Sequence, residues 1–334
     1  MKSDFPEKLV DPFGRTIDYV RISVTDRCDF RCVYCMDEKM QFLPRARVLT
    51  LEEIALIAKA FSELGVKKIR LTGGEPLVRK NVLGLIEELG QLESLEELTL
   101  TTNGSKLEHM SAPIRHSGIK RINVSLDSLD ENRFKAMTRT GQLQTVLRGI
   151  ESAREAGFKR IKLNSVILKN RNDDEVLPLV KFAVEKDLDI SFIEEMPLGV
   201  IGDHDRAELY CSSDEIRDKI SRSFPLVPST ETTGGPSRYY KIPGIQTKVG
   251  FISPHSHNFC GDCNRVRLTV EGRLLLCLGQ ENSVDLREVV RRHPRNVDQV
   301  KKAIVESMAK KPLGHDFRLD EKPVIFRHMS HTGG

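Results

Sequence analysis

Tyr19-Val20-Arg21-Ile22-Ser23-Val24-Thr25-Asp26-Arg27-Cys28-Asp29-Phe30-Arg31-Cys32-Val33-Tyr34-Cys35 sets two decisive patterns side by side. The run over 19–24 predicts a β-strand. Cys28, Cys32 and Cys35 then follow, with three residues and then two between them and an aromatic, Tyr34, in the last gap. Three thiolates are one short of a closed tetrahedral site. They can hold a four-iron cluster with one iron left free for another ligand. They can also bind zinc, which wants a fourth ligand that no neighbour in the sequence supplies. At this point both readings stand.

From 19 to 196 one rhythm repeats: a short β-branched run, a polar turn, an amphipathic helix. The strands are expected at 19–24, 67–71, 97–101, 120–125, 159–166 and 189–194. Thr50-Leu51-Glu52-Glu53 reads as a capping box opening a helix that turns Ile54, Leu56, Ile57 and Phe61 inward and ends at Gly65. A later helix near 142–156 ends in the same way at Gly157. Strands alternating with helices call for right-handed βαβ units and a parallel sheet. Six units are too few for a closed eight-stranded barrel, so a partial, open barrel is expected.

After about residue 210 the rhythm fails. A helix near 213–222 leads into a Pro/Gly/Ser/Thr-rich loop at 225–237. Short strands follow near 238–242, 247–252, 265–270 and 273–277, with a hairpin turn at Glu271-Gly272. A helix near 296–310 stops at Pro312. The expected division falls near 205–235, giving a first region of 1–205 and a second of 206–334 that is too small to fold alone.

A barrel-like sheet buries both faces, so its strands should be almost wholly apolar. These are not. Arg21 and Ser23, Arg70 and Thr72, Thr99 and Thr101, Asn123 and Ser125, and Lys162 and Asn164 are i, i+2 pairs, each on one face of its strand. Repeated over five units, the pattern predicts a polar lumen whose buried cations need an anionic partner. Thr72-Gly73-Gly74-Glu75-Pro76 closes the second strand at its carboxyl end, where α/β sheets place ligands. No Gly-Lys-Ser/Thr follows, so it is not a P-loop.

A second set, Cys260, Cys263 and Cys277, lies in the hairpin region with His255 and His257 nearby, which leaves zinc and iron–sulfur equally open. Arg265 and Arg267 follow on one strand face and present two guanidinium forks suited to phosphate or carboxylate. Cys211 stands apart and reads as a packed small hydrophobe.

The chain has 334 residues, a net charge of +4, seven cysteines and no tryptophan. No apolar run is long enough for a membrane span, and Met1 to Lys8 carries no apolar signal core. Residence in the cytoplasm is therefore expected, with the cysteines used for metal or catalysis rather than disulfides. The small net charge and few aromatics argue against nucleic acid as a partner.

The Cys28/Cys32/Cys35 motif, followed one strand later by Gly73-Gly74-Glu75-Pro76, resembles the radical SAM superfamily. Adding the second triad, Asn264-Arg265-Val266-Arg267 and the terminal Gly333-Gly334, the chain resembles the GTP 3′,8-cyclase family (molybdenum cofactor biosynthesis protein A). The likeness runs from Asp11-Pro12-Phe13-Gly14-Arg15 to Ser330-His331-Thr332-Gly333-Gly334. It implies an α/β fold, an incomplete (βα)6 TIM-like barrel, with a smaller α+β C-terminal region carrying a second iron–sulfur cluster. It implies two [4Fe-4S] clusters, one on Cys28, Cys32 and Cys35 and one on Cys260, Cys263 and Cys277. S-Adenosyl-L-methionine would meet Tyr34, Gly74, Ser125 and Met196, and GTP would meet Arg21, Arg70, Thr101, Lys162, Arg265 and Arg267. Gly333 and Gly334 would reach into the active site. The implied reaction is radical conversion of GTP to 3′,8-cyclo-7,8-dihydro-GTP, in which a 5′-deoxyadenosyl radical takes hydrogen from ribose C3′ and C3′ then attacks C8 of guanine. A flavodoxin- or ferredoxin-type electron donor, a homodimer, and cyclic pyranopterin monophosphate synthase as the next pathway enzyme complete the implied partners.

Overall fold

A computed structural model describes residues 5–199, 201, 205–317 and 327–333. Its twelve strands are β1 (Tyr19–Ser23), β2 (Lys68–Thr72), β3 (Glu97–Thr102), β4 (Arg121–Ser125), β5 (Arg160–Val166), β6 (Asp189–Ile193), β7 (Val227–Pro228), β8 (Arg238–Lys241), β9 (Lys248–Ile252), β10 (Arg265–Leu268), β11 (Arg273–Leu275) and β12 (Ser283–Asp285). They form one sheet in the order β12-β11-β10-β1-β2-β3-β4-β5-β6-β9-β8-β7. β1 to β6 are parallel neighbours in chain order, the arrangement that five βα crossovers dictate. The six expected strands are all present, with ends within a residue or two of those read from the sequence.

The edges hold what local pattern did not reveal. β10 adds parallel to β1, and β9 adds parallel to β6, so eight parallel strands stand together. Antiparallel strands flank this block on both sides: β11 and β12 beyond β10, and β8 and β7 beyond β9. Residues after 205 thus extend the same sheet at both edges.

Side chains alternate across each strand and sort the two faces. Val20, Ile22, Ile69, Leu71, Leu100 and Val124 face the helices and are fully or almost fully buried. Against them pack helices such as Leu51–Glu63, whose capping box is formed by Thr50 and Glu53 and whose Ile54, Ile57 and Phe61 are buried. Leu56, expected inward, is only partly buried against this core. The helix Leu143–Glu155 ends before Gly157, which takes φ +73°. Helices Ser213–Ser221 and Val297–Met308 appear where expected, whereas Leu286–Arg292, capped by Asp285 and closed by Arg291 and Arg292, goes unnamed in the sequence reading although it carries those end signals. Cys211 packs in the core as a hydrophobe. No helix among the described residues is long and apolar enough to cross a membrane.

Candidate functional site

The opposite, polar face of the sheet lines one cavity. Register fixes how its side chains are ranked. Arg267, Arg21, Arg70 and Thr99 are successive partners on β10, β1, β2 and β3. Two residues earlier on each strand, Arg265, Tyr19, Lys68 and Glu97 form a second row. Asn123 on β4 stands between Thr101 and Lys162, and Ser125 is level with Asn164. All of these except Thr99 and Glu97 line the cavity.

The cations of this face are held by neutral groups more than by carboxylates. Arg70 donates through Nε to the Tyr19 hydroxyl at 2.7 Å and through Nη1 to the Leu100 carbonyl and Thr101 Oγ1, both at 3.3 Å. Lys162 Nζ donates to the Tyr239 hydroxyl at 3.2 Å. Lys68 pairs with Glu97 and donates to the Thr233 carbonyl at 2.7 Å, which draws the 225–237 loop over this end of the cavity. Crowding of like charge leaves its mark on protonation. Burial pulls Arg267 well below its usual pKa, and Arg21 and Arg265 push it further. Burial likewise brings Arg21 down to about 10. For Tyr19 burial acts upward, yet Arg70, Arg21 and Lys68 together outweigh it and bring the phenol down to about 7. A polyanion is the ligand such a surface would discharge onto.

At the carboxyl ends of the parallel strands lies the first triad. Cys28, Cys32 and Cys35 sit on the loop after β1, half-buried at the cavity wall. The Gly73-Gly74 turn after β2 holds that loop: Gly74 donates its N–H to the Thr25 carbonyl at 2.7 Å, and Glu75 to the Arg27 carbonyl at 2.8 Å. The buried Glu75 carboxylate in turn accepts from Leu77 N–H (3.0 Å), Thr102 Oγ1 (2.8 Å) and Asn103 N–H (2.6 Å), stitching the turn to the end of β3. Its burial outweighs these bonds and raises the carboxyl to about 7. Phe30 N–H points at Cys28 Sγ at 3.3 Å. Tyr34 donates to Asp127 Oδ2 at 2.7 Å just beyond β4. Burial drives the Cys28 and Cys32 thiols well up and pushes Cys35 up to about 12. Thiolates in such surroundings call for a cation among them, so this donor set fits an iron–sulfur group that brings its own positive charge. Gly74, Ser125 and Met196 line the cavity at this same end.

The second triad occupies the other end. Cys263 precedes β10, which runs parallel to β1, and Cys277 follows the antiparallel β11, so both lie at the amino ends of the parallel strands. Cys260 opens a single 3-10 turn. All six cysteines therefore line one cavity, separated by strands of five residues, roughly 17 Å. Burial alone would raise Cys263, but Arg265, Lys311 and Arg15 prevail and lower it, whereas burial raises Cys277. Arg15, ion-paired to Asp11 at 2.6 Å, donates to the carbonyls of Cys260, Pro312 and Leu313 and clamps this end shut. His255 and His257 spend Nε2 elsewhere, on the Glu195 carbonyl and on Asp214. Among the described residues no three His, Cys, Asp or Glu side chains are gathered so as to hold one metal ion. The donor set here, three thiols beside Arg265, Lys311 and Arg15, suits a multi-iron group that is net negative once its thiolate ligands are counted.

Gly333 reaches the cavity edge. Its carbonyl accepts from Arg267 Nη1, and a Cβ there would lie 1.8 Å from Thr72 Oγ1, so only glycine fits. Gly334 lies outside the described residues. Sequence reading missed Tyr19, Lys68, Tyr239, Asp127 and Lys311. Tyr19 and Lys68 stand two residues before Arg21 and Arg70, so strand alternation could have found them. Asn164 lines the cavity with its Oδ1 buried and without a hydrogen-bond partner.

Residues 22–183 match the Radical SAM superfamily, and residues 188–317 match Molybdenum Cofactor Synthesis C. The fold resembles that of SuiB of Streptococcus suis, solved with S-adenosylmethionine, with a TM-score of 0.62 at 15% identity over 95% of this chain and 78% of that one. A GTP 3′,8-cyclase of Ectopseudomonas mendocina is 58% identical over 98% of this chain and 99% of its own length. One of Saccharophagus degradans is 58% identical over 98% of both. On that similarity over nearly its whole length, the chain belongs to the GTP 3′,8-cyclase family, within the radical SAM superfamily.

Proposed function

We propose that the chain converts GTP to 3′,8-cyclo-7,8-dihydro-GTP, a radical SAM lyase reaction and the first step of molybdenum cofactor biosynthesis. The observation that carries this is the single cavity: a cysteine triad at each end, and ranked cations between them that need a polyanion. In this reading the sheet is an incomplete TIM-like barrel, residues 1–205 form its radical SAM part, and residues 206–334 supply the second cluster and much of the substrate site.

Cys28, Cys32 and Cys35 would hold one [4Fe-4S] cluster, and Cys260, Cys263 and Cys277 a second. When bound and reduced, the first would supply the electron that splits S-adenosyl-L-methionine and so the radical that acts at the ribose. The rest is positioning. Gly74 offers bare backbone to the methionine end of the cosubstrate, while Tyr34, Ser125 and Met196 surround its remainder. Arg21, Arg70 and Arg267 receive the triphosphate in one row, with Arg265, Lys162 and Thr101 beside it. The ranked cations fix the triphosphate, so the nucleotide's ribose is presented toward the first triad and its base toward the second. The tail at Gly333 and the 225–237 loop close the cavity to water and oxygen. A flavodoxin- or ferredoxin-type protein is the proposed electron donor, cyclic pyranopterin monophosphate synthase the proposed consumer of the product, and a homodimer the proposed assembly. Nucleic acid has no part in this reading.

The test is an anaerobic assay of the reconstituted chain with S-adenosylmethionine, dithionite and GTP, followed by mass spectrometry. Formation of 5′-deoxyadenosine and of a cyclised GTP product, each dependent on the other, is expected. 5′-Deoxyadenosine without consumption of GTP, with both clusters intact, would overturn the substrate.

A further inference from the structure

Lys311 follows the helix Val297–Met308 and is buried, only 3% exposed. Its three ammonium directions are all taken up. Nζ donates to the Leu276 carbonyl at 2.6 Å and the Arg265 carbonyl at 3.0 Å, and the third contact is Cys263 Sγ at 3.8 Å. None of these partners is a carboxylate. A buried ammonium surrounded by neutral carbonyls needs an anion, and the thiolate of Cys263 is the anion within reach.

Resting on the reading of Cys260, Cys263 and Cys277 as ligands of a second cluster, we propose that Lys311 is the residue that tunes that cluster: its ammonium donates to the Cys263 thiolate and raises the reduction potential of the bound group. Reduction adds a negative charge to the cluster. A fixed cation and a hydrogen bond to sulfur both favour that state, and both are levers that set iron–sulfur potentials. The two carbonyls give the placement. Arg265 begins β10 two residues after Cys263, and Leu276 immediately precedes Cys277, so one ammonium ties together the segments that carry two of the three ligands. Lys311 thereby acts through Cys263 as a positioning residue, without touching substrate.

The experiment uses the full chain with Cys28, Cys32 and Cys35 replaced by serine, reconstituted anaerobically, so that only the second triad reports. Iron and sulfide are counted first. A chain that retains no iron refutes the cluster reading itself, before any Lys311 variant is measured, and the proposal falls with it. With iron present, a redox titration followed by electron paramagnetic resonance compares Lys311→Gln with Lys311→Arg. Glutamine keeps a donor and loses the charge. It is expected to shift the oxidised-to-reduced ratio at a fixed potential at least tenfold toward oxidised, about 59 mV for one electron. Arginine keeps the charge and should stay within about threefold of the parent ratio. An unchanged potential in Lys311→Gln with iron intact overturns the proposal. Should Lys311→Gln lose its iron, retention by Lys311→Arg upholds the need for charge, and loss in both variants overturns it in favour of packing alone.

Discussion

Replacing Gly74 by alanine tests whether the paired glycines set the place of the first triad. A Cβ on Gly74 would lie 2.5 Å from the Arg27 oxygen, 2.7 Å from the Arg27 carbon and 2.7 Å from the Asp26 oxygen, all of them backbone. Ordinary contact begins at 3.4 Å, so the loop must retreat by about 0.9 Å. That retreat loosens the bonds from Gly74 to Thr25 and from Glu75 to Arg27, and Arg27 immediately precedes Cys28. Overpacking of this kind costs about 1–3 kcal/mol, and each weakened hydrogen bond adds up to ~1 kcal/mol. A loss of about 2–4 kcal/mol should lower Tm by roughly 3–6 °C in a chain of this size. Misplacement of a reacting group by about 1 Å is worth on the order of 100-fold in rate, so formation of 5′-deoxyadenosine should fall by that order. Gly84→Ala is the control. It stands in the helix Val82–Gly90 with no heavy atom within 4 Å of the new Cβ, and should stabilise by about 0.5–1 kcal/mol. Calorimetry of the metal-free chain and a coupled assay of S-adenosylmethionine cleavage give both readings. Parental Tm and parental cleavage in Gly74→Ala would refute the reasoning.

Other perturbations follow from the same geometry. Arg267→Ala should weaken GTP about 10–100-fold, the worth of charge-assisted hydrogen bonds, while relieving repulsion with Arg21 and Arg265, so Tm of the nucleotide-free chain should hold or rise; undiminished GTP affinity by calorimetry would contradict it. Burial raises Tyr19, but Arg70, Arg21 and Lys68 bring it to about 7, below its ordinary 10, so its phenolate favours the folded state. Relative to Tyr19→Phe, the parent should gain stability in urea titrations as pH climbs from about 7 to 10 and show no such gain below pH 7. Arg15→Ala breaks a buried ion pair and three carbonyl contacts and should cost about 3–5 kcal/mol, with the second triad's iron lost before the first's; equal retention at both triads would contradict that. Deleting Gly333 and Gly334 should abolish cyclisation while sparing iron content; full product formation would make the tail incidental.

The strands and the first triad were legible because their signals are local. Alternation placed Arg21, Arg70, Thr101, Asn123 and Lys162 on one face before any contact was known, and capping chemistry fixed the helix at Thr50. What local pattern could not reveal was pairing across distance. β9 and β10 read as short strands of an appendage, but nothing in four or five residues tells a strand that its partner lies 59 positions earlier, as for β9, or 246, as for β10. The neutral partners of the cations were hidden for a similar reason. Tyr239 meets Lys162 only because the sheet curls, and Lys311 meets Cys263 from beyond the end of a helix.

The pairing of β10 with β1 bears on how the chain is made. Arg21 and Arg267 are partners 246 positions apart. At translation rates of about 5–20 residues per second, the outer edge of β1 waits roughly 12–50 s for its neighbour to leave the ribosome. Throughout that interval a row of unpaired N–H and C=O groups is open to pairing with another nascent chain. The strand is only five residues long and sets Tyr19, Arg21 and Ser23 on one face, and shortness and charge are features that blunt such edge pairing.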